Sequence, residues 1–212
     1  VIPKENITSL AGIDYSITSP AVAVYTGIPV STGLIPFKEI NFLVITDKKP
    51  KQNLENALPN VFLIPHKKKD IFMYEIERFM HNAEKVVQFI DWYKSKITTI
   101  KVLIEDYAMG AKGRTFAIGE NTAILKYNLF HANIPYNTIA PTVIKKYATG
   151  KGNANKDAMY SQFILDTNIT NLKRALIGES NKLESPVTDI VDAYYLLNYL
   201  NSNYSLMDNK GL

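Results

Sequence analysis

Four carboxylates stand where a carboxylate needs a reason. Asp14 interrupts the apolar run Ala11-Gly12-Ile13-Asp14-Tyr15. A charge in a central strand is costly unless something compensates it; the alternative is an edge strand with Asp14 turned to solvent. Glu105 ends the apolar run of Lys101–Asp106, with Asp106 beside it. Ligands collect at the carboxyl ends of strands in open α/β sheets. Neighbours on a strand face opposite ways, so only one of the two acids can point into a given site. An ordinary polar strand end is the other reading. Asp189 and Asp192 lie three apart in Asp189-Ile190-Val191-Asp192-Ala193-Tyr194-Tyr195-Leu196-Leu197. That spacing puts both on one helical face. The face also carries Ala193, Leu196, Leu197 and Leu200, so Asp192 is expected to look toward the core. The helix dipole accounts for an acid at Asp189 and leaves Asp192 unexplained.

Together the four form a hard oxygen-donor set. There is no cysteine, and His66, His81 and His131 are far apart and make no HExxH pair. Such a set suits Mg²⁺, with Mn²⁺ as a substitute. Two ions ~3.5–4 Å apart can activate water and stabilise the leaving oxygen in phosphodiester hydrolysis.

The elements that must position these residues can be read from periodicity. Leu10–Ile17, Ala21–Tyr25 and Asn41–Thr46 read as strands that pair antiparallel, with Thr18-Ser19-Pro20 as a turn. Val61–Pro65 is a further strand candidate. Ile76, Phe79, Met80, Ala83, Val86, Val87 and Ile90 recur at helical spacing, which predicts a helix within 71–96. Lys101–Asp106 is a buried-type strand, 115–130 a helix and 133–140 strand-like. Pro141 suits the first turn of another helix. Ala148–Asn155 is a Gly- and Asn-rich loop, 156–165 a helix, and 172–176 a short one. Ser185 as N-cap and Pro186 at the first helical position open a helix to about Leu200. Residues 201–212 read as a polar tail. Strands first, then alternating helices and strands, predict a mixed α/β sheet flanked by helices. Its first three strands are antiparallel and its later ones parallel.

The chain has 212 residues, 46% apolar and 21% charged. That is the profile of one globular domain, here 1–212, and excludes a disordered chain or a disulfide scaffold. No apolar run approaches the ~20 residues of a membrane span. The opening residues Val1-Ile2-Pro3-Lys4-Glu5 hold no signal-peptide core and do not begin with methionine. A trimmed, soluble, cytoplasmic protein is the expectation. The net charge of +4 is unevenly placed. From Lys94 to Lys156 there are ten basic residues and three acids, a balance of +7, and the rest of the chain is at −3. The asymmetry points to a polyanionic partner, against the plainer reading of a solvated basic surface. Carboxylates plus a basic segment indicate a nuclease acting on nucleic acid.

The chain resembles the RuvC family of Holliday-junction resolvases, within the ribonuclease-H-like superfamily. The resemblance rests on Gly12-Ile13-Asp14-Tyr15-Ser16, on Leu103-Ile104-Glu105-Asp106-Tyr107, on the run from Pro141 through Lys156, and on Asp189-Ile190-Val191-Asp192-Ala193. It implies metal ligands at Asp14, Glu105, Asp189 and Asp192. It implies DNA-backbone contact by the loop Thr149–Lys156, with Asn153 in it and Lys151 near the scissile phosphate. Lys112, Arg114, Lys145, Lys146 and Lys156 are further candidate DNA contacts. The family's usual Pro-Gly after the first Asp is Tyr15-Ser16 here. The aromatic expected for stacking at the junction falls at Ala108, with Tyr107 or Phe116 as substitutes. Residues 47–80 are longer and more basic than the family's equivalent. These departures describe a divergent, phage-type member.

The resulting expectation is a Mg²⁺-dependent endonuclease that resolves four-way DNA junctions, with Asp14 bridging two ions. Two other readings stand beside it. One is a broader structure-specific nuclease on flaps, forks or RNA–DNA hybrids. The other is a non-catalytic module that binds branched DNA. A junction with two-fold symmetry needs two cuts on opposed strands, which predicts a homodimer. Candidate interface helices are those within 71–96 and 115–130. The resemblance favours the second, whose Ala117, Ile118, Ala123, Ile124, Leu125 and Phe130 exceed one core-facing stripe.

Overall fold

The computed structural model describes residues 9–30, 32–66, 72–94, 100–106 and 115–204. The first strands are β1 (Ser9–Asp14), β2 (Ala21–Tyr25) and β3 (Ile40–Ile45), followed by a short helix α1 (Leu54–Ala57) and β4 (Val61–Ile64). Helix α2 (Glu75–Tyr93) leads to β5 (Ile100–Glu105), and α3 (Thr115–His131) leads to β6 (Tyr136–Ile139). Four helices follow among the described residues: α4 (Pro141–Thr149), α5 (Lys156–Thr167), α6 (Leu172–Ile177) and α7 (Val187–Ser202).

The six strands form one sheet in the order β4-β3-β2-β1-β5-β6. β1 pairs antiparallel with β2, and β2 with β3. β5 lies parallel to β1, β6 parallel to β5, and β4 parallel to β3. The predicted mixed sheet is therefore present. β1 is central, with β2 on one side and β5 on the other, so the edge-strand reading of Asp14 is overturned. Two reversals bring β3 back to the direction of β1. The carboxyl ends of β1, β3, β4, β5 and β6 thus lie along one end of the sheet.

Strand alternation divides the core into two layers. Ala11 and Ile13 of β1 pack with Val102 and Ile104 of β5 beneath α2 and α3. Leu10 and Leu103 face the other way, toward α4 to α7. On that second face β2 offers Ala21 and Ala23, and β1 offers Gly12. A Cβ on Gly12 would fall 2.7 Å from the carbonyl oxygen of Ala193 and collide with the backbone nitrogen of Leu197. Small residues under α7 let the helix lie against the sheet backbone. Helix α7 is buried nearly all round, the pattern of a core helix rather than an amphipathic one. Buried Asn side chains hold it in place. Asn198 Oδ1 accepts from the Ile35 amide at 2.6 Å, and Asn201 Oδ1 accepts from the Val30 amide at 2.9 Å.

Several boundaries differ from the sequence expectation. Pro186 is the cap of α7, so the helix starts at Val187. The strand expected over 133–140 is confined to Tyr136–Ile139, because Asn133 adopts φ 52 in the turn leaving α3. Helix α1 and a 3-10 turn at Phe37–Glu39 were not anticipated; elements this short carry too little periodicity. Among the described residues no helix is long and apolar enough to cross a membrane.

Candidate active site

Asp14 and Glu105 are the terminal residues of neighbouring parallel strands. Ile13 is paired with Ile104, so the next residue on each strand faces the same way, toward α7. Asp106 turns to the opposite face. Where α7 crosses Gly12 it runs against β1, so its first turns reach the end of the strand at Asp14. Asp189 sits in the first of those turns, where the helix dipole favours negative charge, and Asp192 in the next. A glycine, a helix N-terminus and two strand ends therefore bring residues from opposite ends of the chain together.

The electrostatics record the convergence. Burial holds the Asp14 carboxyl well above the usual range, reinforced by Glu105, Asp189 and Asp192 and opposed by Lys156. Burial pushes Glu105 up to about 7, against Lys145 and with Asp189 adding to the rise. Asp192 is pushed up to about 8, by burial first and then by Glu105 and Asp189, with Lys145 and Lys156 opposing. Burial also raises Asp189, opposed by nearby hydroxyls and by Lys156. Thr188 Oγ1 donates to Asp189 Oδ1 at 3.2 Å, while Asp189 Oδ2 is buried with no hydrogen-bond partner. Asp189 is buried, and Asp192, itself largely buried, lines a cleft.

That cleft is lined by Glu105 and Asp192 on one side and by Lys145, Asn155 and Lys156 on the other, with Met159 and Tyr160 in its wall. The basic side is built by two helices and a turn. Gly150, at φ 77, ends α4 in the left-handed region, where glycine has no Cβ penalty. Asn155 then caps α5 by accepting from the Ala158 amide at 2.9 Å. Lys156 is the first residue of α5 and Lys145 lies on α4; both line the cleft and act electrostatically on the carboxylates.

Lys151 is placed differently from the expectation. It is exposed at the tip of the turn, where its amide donates to Thr149 Oγ1 at 3.2 Å, and it does not line the cleft. Lys146 and Asn153 are likewise exposed outside the cleft. Tyr107, Ala108, Lys112 and Arg114, and also Lys67–Lys69, lie outside the described residues. Thr188, Met159 and Tyr160 were not singled out by sequence reasoning. Only Thr188 carried a signal, as the hydroxyl next to Asp189.

Among the described residues no three acidic or histidine side chains already stand as a closed metal cluster. The donor chemistry nevertheless fits a hard divalent cation. Four carboxylates share one low-dielectric site, and one of them points a buried oxygen at no donor. Like charges so placed repel unless a cation is shared.

No family model and no curated protein matches the chain. Solved structures do. Thermus thermophilus RuvC aligns over 94% of this chain and 96% of its own, at 14% identity and a TM-score of 0.51. Thermus thermophilus RuvC in complex with Holliday junction substrate aligns at 15% identity and 0.48, over 94% and 96%. The yeast mitochondrial Holliday junction resolvase aligns at 11% and 0.49, over 99% and 84%. The first of these likenesses establishes the RuvC-like, ribonuclease-H-like fold.

Proposed function

We propose that this chain is a divalent-metal-dependent endonuclease that resolves four-way DNA junctions by phosphodiester hydrolysis. The observation that carries the reading is the convergence of Asp14, Glu105, Asp189 and Asp192 opposite Lys145 and Lys156. The four-way junction as substrate is supported by the sequence resemblance around those residues, in a chain with a RuvC-like fold.

Each side chain then has a task. Asp14, Glu105, Asp189 and Asp192 would together hold Mg²⁺ or Mn²⁺. When bound, the metal supplies activation of the attacking water and neutralises charge at the phosphate. Lys145 and Lys156 hold the phosphate on the open side of the cleft and offset the negative charge of the carboxylates. Thr188 orients Asp189 through its hydroxyl. Lys146, Lys151 and Asn153 meet the DNA backbone beyond the cleft, where phosphate contacts set affinity and register.

Paired cuts require two sites, and one chain supplies one. We assign the homodimer interface to the outer side of α3, where Phe116 and Phe130 are 88% and 73% exposed. The chain works as one nuclease domain in the bacterial or phage-infected cytoplasm, where branched DNA arises in recombination and repair. A labelled four-way junction supplied with Mg²⁺ is expected to yield paired nicks in opposed strands. A wild-type chain no more active on it than Asp14→Asn would overturn the proposal.

A further inference from the structure

The loop that follows β3 carries Lys48, Lys49 and Lys51, and none of them is used by the carboxylate site. β3 runs in the same direction as β1, so this loop emerges at the same end of the sheet as Asp14. Strands are spaced ~4.8 Å apart, which places the end of β3 about 10 Å from the end of β1. The loop is tied down: the amides of Lys51 and Gln52 both donate to the carbonyl of Ala175, at 2.8 and 3.1 Å. Lys48, Lys49 and Lys51 line a groove with Leu176, Ile177 and Glu184. Lys49, Lys51 and Lys182 are exposed.

Glu184 links this groove to the active site. Its carboxylate pairs with Lys48 Nζ at 2.6 Å. It is held below its usual range by Lys48 first, and then by Lys182 and Lys156. Lys156 is the lysine that faces the carboxylates. Glu184 thus stands between Lys156 on the cleft side and Lys182, Lys48, Lys49 and Lys51 on the groove side. The acids along the outer part include Asp47, Glu184 and Glu179, the last paired with Arg174 at 3.4 Å, so the lysines Lys48, Lys49, Lys51 and Lys182 leave that part net positive.

We propose that this second tract, Lys48, Lys49, Lys51 and Lys182, holds the phosphate backbone of one duplex arm beside the cleavage site, and that Glu184 restrains it. The inference rests on the nuclease reading and adds to it where the substrate arm lies. The partner is duplex backbone rather than bases, because the tract's side chains are ammonium groups on a firm loop. A duplex rises about 3.4 Å per base pair, so a reach of about 10 Å corresponds to about three base pairs from the cut. Glu184 keeps Lys48 occupied, so some affinity is withheld until phosphate competes for the lysine.

The test measures binding of a four-way junction across a salt series, in EDTA so that nothing is cut. Each released counterion contributes about 0.9 to the slope of log K against log salt. Lys49→Ala/Lys51→Ala/Lys182→Ala is expected to flatten that slope by about 2 to 3 and to weaken binding about tenfold near physiological salt. Glu184→Gln is expected to bind about threefold more tightly, a gain that a poorly folded variant cannot mimic. Thermal midpoints of both variants near wild type exclude a folding effect. Wild type binding the junction while both variants keep its affinity and slope would overturn the tract and leave the carboxylate site standing. Wild type failing to bind branched DNA at any salt would overturn the nuclease reading, and this inference with it.

Discussion

Gly12 and Ala193 are in backbone contact: there is no space between β1 and α7 for a single methyl group at Gly12. This contact sets the height of α7 over the sheet, and so the distance from Asp14 to Asp189 and Asp192. Gly12→Ala forces the helix to shift, because the obstacles are backbone atoms rather than flexible side-chain ends. A loss on the order of 3 kcal/mol is expected, read from the midpoint of urea unfolding. Cleavage is expected to fall further than the folded fraction does. A variant as stable and as active as wild type would show that the close approach is not what assembles the site.

Asp192→Asn is expected to reduce cleavage by about a hundredfold or more, the loss of several kcal/mol of metal-borne stabilisation. Junction binding is expected to persist, because phosphate contacts come from lysines. In EDTA binding should tighten slightly only above about pH 8, where the Asp192 carboxyl is ionised and its negative charge faces phosphate. Cutting near the wild-type rate would remove Asp192 from the ligand set.

Stability in the absence of metal should depend on pH with a definite sign. Asp14, Glu105, Asp189 and Asp192 all titrate higher in the fold than in an unfolded chain, Glu105 at about 7 and Asp192 at about 8. The folded state therefore holds more protons than the unfolded state in between. Their contribution is complete below the unfolded values near 4 and is lost as pH rises through about 7 to 8. The melting temperature in EDTA is expected to fall by about 5 °C or more from pH 5.5 to 8.5. Mg²⁺ or Mn²⁺ should restore it at the alkaline end by binding the folded state. A flat or rising profile in EDTA would contradict the shared buried site.

Two lysines separate turnover from affinity. Lys156→Ala removes the ammonium that opposes three of the carboxylates and lines the cleft. It is expected to slow cutting of bound DNA by about ten- to a hundredfold. Lys151→Ala removes an exposed charge at the turn, and is expected to lower affinity and flatten the salt slope by about 1. Single-turnover cleavage at saturating enzyme distinguishes the two. The opposite ranking would return Lys151 to the scissile phosphate.

The four carboxylates were legible in the sequence because each stands against an apolar background, and a buried charge needs a reason wherever it occurs. The strands and long helices were legible for a related cause, since burial imposes a period of two or of 3.6. That Lys145 and Lys156, rather than Lys151, line the cleft was not legible. Gly150 and Gly152 drew attention to Lys151, and both also serve the turn itself: Gly150 ends α4, and Gly152 passes close to the Thr142 carbonyl. Which lysine reaches the site is decided by how α4 and α5 pack on α7, a long-range matter. The same holds for β4 joining β3 in parallel. Local pattern carries no information about the neighbour an element will meet.

The most direct measurement compares a four-way junction with a linear duplex of the same sequence, each with wild type and with Asp14→Asn, in Mg²⁺ and in EDTA. Cleavage is expected for the junction alone, with wild type alone, and in Mg²⁺ alone. An intact junction in wild type with Mg²⁺, or equal cutting of linear duplex, or cutting by Asp14→Asn at the wild-type rate, would contradict a carboxylate-held metal site built to resolve branched DNA.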